Sequence, residues 1–222
     1  MNKTKIEWCD YSWNPITGCL HDCWYCYVKR LRNYNRTPHL HEDRLHQPFK
    51  IKKPSRLFVC STADLFGEWV LEEWINEVLK VTRMADWHIY LFLTKNPHRM
   101  QQFEFGDNTW LGTTVDIEEN AKRIYDLTLT LHKNLFISFE PMLSGMDIPD
   151  YMFADIKWLI FGALTGGEKR RHPVREDWIE KILSKTDKIK IPVFMKNNLK
   201  PEWAHRLRQE FPDKLKITMR EK

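Results

Sequence analysis

Six short, unbroken apolar runs recur along the chain: RLFVCST (Arg56–Thr62), HIYLFLT (His88–Thr94), TWLGTTV (Thr109–Val115), NLFISFE (Asn134–Glu140), KWLIFGAL (Lys157–Leu164) and IPVFMK (Ile191–Lys196). A strand with one wet face alternates apolar with polar residues, whereas a continuous run belongs to a strand covered on both faces, as in a parallel sheet. Between the runs, Val70–Met84, Ile117–Leu131 and Arg175–Lys185 carry apolar residues at helical spacing. Pro201–Phe211 is expected to be a final helix with proline in its first turn. A first, short strand is expected near Ser12–Thr17. Alternation at this pitch predicts right-handed βαβ units, hence an α/β fold of mainly parallel strands. An open doubly wound sheet and a partial or full (β/α) barrel both satisfy it.

The 222 residues contain no linker, low-complexity stretch or close repeat, so a single domain spanning residues 1–222 is expected. No run approaches the ~18 apolar residues of a membrane span, and MNKTKIEWCDYSW offers no secretory signal. A cytoplasmic location is therefore expected, without membrane association. There, clustered cysteines bind metal or do redox chemistry more often than they form disulfides. The net charge of +5 and pI of about 8.9 permit a polyanionic partner.

Ligand sites in parallel α/β folds are built at the C-terminal ends of the strands. Ser61, Thr62 and Asp64 follow the first run, Thr94 and Lys95 close the second, and Thr113, Thr114 and Asp116 close the third. Glu140 ends the fourth, the turn TGGE (Thr165–Glu168) follows the fifth, and Lys196 and Asn197 end the sixth. One polar residue at a strand end is commonly a helix cap, and Asp64 and Asp116 each admit that role. Six strands in succession ending this way describe a ring of donors and acceptors around an opening. Such a ring suits a cofactor carrying amino-acid and nucleoside groups. Lys95, Glu140 and Lys196 are the candidate catalytic side chains.

Three of the five cysteines fall within GCLHDCWYCYVKR (Gly18–Arg30): Cys19, Cys23 and Cys26, spaced C-x3-C-x2-C with Tyr25 before the last. Zinc and iron–sulfur sites ordinarily take four protein ligands. Either Cys9 or His21 completes a zinc site in a nucleic-acid-binding module, or three thiolates hold three irons of a [4Fe–4S] cube and leave the fourth open. A plain electron carrier would protect its cluster with four ligands. Cys60 lies mid-run and reads as a buried apolar residue.

The spacing, with an aromatic before the last cysteine, resembles the radical S-adenosylmethionine superfamily. That resemblance implies a partial or full (β/α) barrel with the cluster loop after the first strand, which favours the barrel over the open sheet. It implies that Cys19, Cys23 and Cys26 ligate a [4Fe–4S] cluster, that Tyr25 lies against the adenine of S-adenosylmethionine, and that Ser61, Thr62 and Asp64 hold its methionyl group. Thr113, Asp116 and Glu140 would then contact ribose or substrate. The superfamily often has glycine–glycine–glutamate after its second strand; STAD stands there in this chain. More of the chain, through SWNPITGC, FVCSTADLF, FLTKNPHRM, TWLGTTVD, LFISFEPM and WLIFGALTGGE, is similar in order to a family of unknown function from phage and bacterial genomes that shares the three-cysteine motif. The nearest branch by analogy is the DNA photoproduct lyases.

The resemblance implies reductive cleavage of S-adenosylmethionine, hydrogen abstraction from a substrate, and a flavodoxin- or ferredoxin-type electron donor. Two basic segments, YVKRLRNYNR (Tyr27–Arg36) and GEKRRHPVR (Gly167–Arg175), interleave cations with aromatics and admit nucleic acid, an acidic reductase or plain solvent as neighbours. Nucleic acid or a nucleoside is the expected substrate class.

Overall fold

A computed structural model describes residues 1–32, 34–199 and 206–216. Its strands are β1 (Asn2–Lys3), β2 (Tyr11–Trp13), β3 (Ile16–Thr17), β4 (His39–Leu40), β5 (Arg56–Val59), β6 (Ile89–Thr94), β7 (Thr109–Thr114), β8 (Leu135–Phe139), β9 (Ile156–Phe161) and β10 (Val193–Met195). Its helices are α1 (Glu42–Leu45), α2 (Glu72–Met84), α3 (Pro97–Met100), α4 (Lys122–Thr128), α5 (Glu168–Arg171) and α6 (Glu176–Thr186). The main sheet runs in the order β1-β2-β5-β6-β7-β8-β9-β10. From β2 onward its seven strands are parallel and curl into a half-barrel. Among the described residues no helix is long and apolar enough to cross a membrane.

The unbroken apolar runs are explained by two covered faces. Trp13, Leu57, Val59, Tyr90, Phe92, Leu111, Ile137 and Phe139 point outward and pack under α2, α4 and α6, whose Ile75, Val78, Leu79, Ile124, Leu127, Ile179 and Ile182 are buried against them. The alternate residues point inward. At the bottom of the bowl Phe58, Leu91, Trp110, Phe136, Trp158 and Phe194 gather around Trp8. Paired residues in neighbouring strands share a face, so the register continues the inner surface upward. One row is Thr114, Ser138, Ile160 and Phe194. Above it the inner positions pass to Glu140, Gly162 and Lys196. The floor is therefore aromatic and the rim polar.

Neither sheet edge is left bare. β1 pairs antiparallel with β2; beside β10, Met195 N–H donates to Arg208 O at 2.6 Å and Glu210 N–H to Val193 O at 2.9 Å. Covering both edges removes templates for unwanted strand pairing. Side chains close the remaining gap. Glu7 accepts the Asn197 N–H at 2.9 Å, Asp10 accepts Arg56 Nη2 at 3.0 Å, and the Arg56 guanidinium lies 4.3 Å from the Phe211 ring centre.

Three expected elements differ. The stretch Ser12–Thr17 is two strands in two sheets, because Pro15 has no N–H with which to continue a ladder. Residues 201–205 of the expected final helix lie outside the described residues, and residues 206–211 are not helical, since Gln209 bridges antiparallel to Phe194. The expected helix Ile117–Leu131 is a 3-10 turn followed by the shorter α4: the Thr128 and Thr130 hydroxyls bond back to the Tyr125 and Leu127 carbonyls, and the chain turns left-handed at Leu131.

Gly112 sits on the inner face of central β7, where a Cβ would overlap the Phe136 ring. Gly112→Ala is expected to lower the unfolding free energy by about 1–3 kcal/mol through overpacking, as read by chemical denaturation. An unchanged midpoint would mean that the two inner rows do not interlock as described.

Candidate active site

The cysteine loop, residues 18–38, leaves the sheet at the C-terminal side of the half-barrel and is pinched where it leaves. β3 and β4 pair Ile16 with Leu40 and Thr17 with His39; Thr17 Oγ1 and His41 Nε2 are 2.8 Å apart, and His41 N–H donates to Pro15 O at 2.7 Å. Gly18 takes a φ of +88°, and a Cβ there would overlap the Thr37 carbonyl, so only glycine fits. Gly18 also bridges Ala63 in parallel, which sets Cys19 beside the turn after β5. Inside the loop, Asp22 accepts Lys29 at 2.6 Å and Arg36 at 3.0 Å, and Cys26 N–H donates to Cys23 O at 3.2 Å.

Cys19, Cys23 and Cys26 are partly exposed on this loop, whereas Cys9 and Cys60 are buried. Burial pushes the Cys60 thiol up to about 12 and the Cys9 thiol higher still. Three accessible thiols on one fixed loop, with the other two walled off, fit a cubane cluster, in which each thiolate takes its own iron. A zinc site must instead gather its donors around one ion. Among the described residues no three His, Cys, Asp or Glu side chains do so. Cys9 packs in the inner core, and His21 Nε2 is bonded to Asp64.

Asp64 is buried and uses both oxygens fully. One accepts the Phe66 N–H at 3.1 Å and the Thr94 hydroxyl at 2.6 Å; the other accepts the Lys95 N–H at 2.9 Å and lies 2.7 Å from His21 Nε2. Burial works to raise its pKa, but the bonds from His21, Thr94 and Lys95 outweigh it and hold the carboxyl below the usual range. Asp64 thus joins the cysteine loop to the ends of β5 and β6.

A second network stands beside it. Lys95 Nζ donates to the Tyr25 hydroxyl at 2.6 Å and to Asp116 Oδ2 at 3.0 Å, and the Tyr25 hydroxyl donates to the same Asp116 oxygen. Asn120 Nδ2 donates to the other Asp116 oxygen at 2.6 Å, with Arg123 at 3.4 Å. Burial, opposed by the Lys95 charge and these bonds, leaves Asp116 below the usual carboxylate range. Burial and the Asp116 charge push the Tyr25 phenol up.

Glu140 and Lys196 form a separate ion pair that passes over β9. Gly162 makes the room: a Cβ there would stand 2.9 Å from Glu140 Cδ. Tyr27, on the loop, donates its hydroxyl to Ser61 O at 2.8 Å. Burial, then the Cys26 and Glu140 charges, push the Tyr27 phenol up.

Asp64, Lys95, Asp116, Glu140 and Lys196 thus share the C-terminal rim, in two groups. Ser61 and Thr62 border the loop; Ser61 Oγ donates to Asn14 Oδ1 at 3.1 Å, and Thr62 Oγ1 is buried without a partner. Thr113 faces outward and gives its hydroxyl to Thr94 O at 3.0 Å, while its neighbour Thr114 faces inward. The depressions lined by Asp187, Lys190 and Pro192 lie at the opposite rim. Sequence reasoning missed His21 as the loop's anchor and Asn120 as a partner of Asp116. The four-residue spacing of Asp116 and Asn120 was the available signal; the His21–Asp64 pair leaves none.

A family described as a protein of unknown function (DUF5131) matches residues 3–210. No curated protein matches the sequence. Solved structures of spore photoproduct lyase share the fold. A variant superposes with a TM-score of 0.57 at 14% identity, and the lyase complexed with dinucleoside spore photoproduct with 0.51 at 15%. A variant with bound AdoMet and dinucleoside spore photoproduct gives 0.50 at 16%. Each likeness covers 84% of this chain and 63% of the lyase, so the chain spans less than two thirds of those proteins.

Asp64→Asn is expected to lower the unfolding free energy of the metal-free protein by about 1.5–3 kcal/mol, since buried bonds to a charged group are lost, and to speed proteolysis within residues 18–38. His21→Ala should reproduce the faster cleavage with a smaller loss of stability. Unaltered cleavage in both variants would show that Asp64 does not hold the loop.

Proposed function

The chain belongs to the DUF5131 family of proteins of unknown function, and we propose that it is a radical S-adenosylmethionine enzyme that modifies or repairs nucleic acid or a nucleoside. One observation carries the reading: three accessible thiols, Cys19, Cys23 and Cys26, stand on a fixed loop at the polar rim of a half-barrel that shares its fold with spore photoproduct lyase. These three would hold a [4Fe–4S] cluster and leave one iron for the amino and carboxylate groups of S-adenosylmethionine. When bound, cluster and cofactor supply methionine and a 5′-deoxyadenosyl radical able to abstract hydrogen from a substrate.

The chain's own residues divide the remaining work. Ser61 and the unpartnered Thr62 hydroxyl border the loop and are assigned to the methionyl group. Tyr25 is assigned to one face of the adenine; its hydroxyl is fixed by Lys95 and Asp116, which orients the ring before anything binds. Asp116 is assigned to the ribose side. Asp64 serves by fixing the loop, and Thr113, facing the helices, is assigned no contact. Glu140 and Lys196, on the far side of the rim, are assigned to the substrate together with Lys95. The thiol set and the need for a flavodoxin- or ferredoxin-type donor assign the enzyme to a reducing cytoplasm. The dinucleoside in the lyase structures and the basic segments near the loop support the substrate class.

After anaerobic reconstitution the protein should contain about four irons per chain and form 5′-deoxyadenosine when reduced with S-adenosylmethionine. Cys19→Ala, Cys23→Ala and Cys26→Ala should each lose both properties, and Cys60→Ala neither. Tyr25→Ala should keep its iron but bind S-adenosylmethionine roughly 2–10-fold more weakly, the loss of one aromatic contact. Stoichiometric zinc without iron, or loss of iron in Cys9→Ala, would overturn the reading.

A further inference from the structure

The two basic segments, about 130 residues apart in sequence, meet in space. Arg30 Nη1 reaches Thr165 O at 3.5 Å, and the Trp24 ring packs edge-on against His172 with centroids 5.1 Å apart. Residues 20–36 and 165–175 together hold eight Lys or Arg and two Asp or Glu. Their surplus of six exceeds the +5 of the whole chain, so the rest of the protein is slightly anionic. All the excess positive charge is concentrated at one place, beside the cysteine loop.

Part of that charge is neutralised locally, since Lys29 and Arg36 share Asp22, Arg171 pairs with Glu168, and Arg175 pairs with Asp177 just beyond the segment. Arg32 and Arg170 are exposed and, among the described residues, in no ion pair. Trp24 stands 56% exposed although it lies between two loop cysteines, and its ring meets His172, two residues beyond Arg170. Other large apolar side chains also stand exposed, among them Leu131 and Tyr151, but Trp24 joins the two basic segments and offers a flat ring beside their charge. Arginines that meet phosphates, set around an aromatic plane that takes a base, are the elements of a single-strand binding surface.

We infer that this bridge of Trp24, Arg30, Arg32 and Arg170 is the docking surface for a single-stranded stretch of nucleic acid, with a base stacked on Trp24 and adjacent phosphates on Arg32 and Arg170. The inference rests on the proposed nucleic-acid substrate, and it places the strand next to the loop whose cysteines lie at the rim. An acidic electron-transfer protein would seek the same charge but has no use for the exposed indole.

Fluorescence anisotropy of a labelled oligothymidylate, titrated with the full chain at several salt concentrations, tests this without needing the cluster or cleavage of the cofactor. Binding should weaken steeply with salt, and Arg32→Gln with Arg170→Gln should reduce the log–log slope by about 1.4, two phosphate contacts on a single strand. Trp24→Ala should weaken binding roughly fivefold or more while leaving the slope unchanged, and Trp24→Phe should restore most of the loss. A blunt duplex should bind more weakly than the single strand. The control pair Lys80→Gln with Lys188→Gln, the same change in net charge placed elsewhere, should leave affinity within twofold. The inference is overturned if the wild-type chain does not bind the strand, if the control pair weakens it equally, or if Trp24→Ala has no effect. It is also overturned if the Arg32 and Arg170 substitutions impair only flavodoxin-driven reduction. Absence of iron would sink the proposed reaction and leave this measurement standing.

Discussion

A carboxylate taken out of water costs several kcal/mol unless its oxygens are fully bonded. Asp64 meets that demand with donors from three places: Phe66 of its own turn, Thr94 and Lys95 at the end of β6, and His21 of the cysteine loop. None can withdraw without leaving a buried charge underbonded, so the three segments are held in one geometry. The side chain of Lys95, whose main chain is fixed by Asp64, then fixes Tyr25 and Asp116. The loop that carries the thiols and the rim that would receive a cofactor are consequently positioned by one continuous polar network. The network spans β5, β6 and β7, three of the seven curled strands.

From β7 to β10 the inner surface is organised by volume. Gly112 gives its space to the Phe136 ring low in the bowl, and Gly162 gives its space to the Glu140–Lys196 pair at the rim. The aromatic floor below lets the rim be polar. Trp8, Trp110, Trp158 and Phe136 fill the bottom, and the Lys95–Asp116 and Glu140–Lys196 pairs stand above them at the C-terminal rim.

The strands, their parallel order and the rim were legible in the sequence because each follows from a local rule: apolar runs mark two-faced burial, and the residue after a run must lie at a strand end. Lys95, Asp116, Glu140 and Lys196 were therefore placed on the correct rim. The face of each residue was less legible. Thr113 and Thr114 are adjacent and chemically alike, and only the register to Ser138 decides that Thr114 points inward. Long-range partners were not legible at all. That Asp64 would be consumed by His21, or that Trp24 would meet His172, depends on how far the loop folds back, which no periodicity encodes. The split at Pro15 was available from chemistry, since a residue without an N–H cannot stand mid-ladder.

The seam between β10 and β2 has a mechanical consequence. Widening a closed barrel anywhere separates paired strands and breaks a row of main-chain hydrogen bonds. This half-barrel has one place where side chains join its two edges: Glu7 on Asn197, and Arg56, itself held by Asp10 of the neighbouring strand, on Phe211. Opening it there leaves every ladder intact but draws Trp8 away from Phe136 and Trp158 in the floor, so the aromatic cluster holds the two edges together. The molecule is a clip rather than a hoop, and a clip can grip an object larger than its own bore.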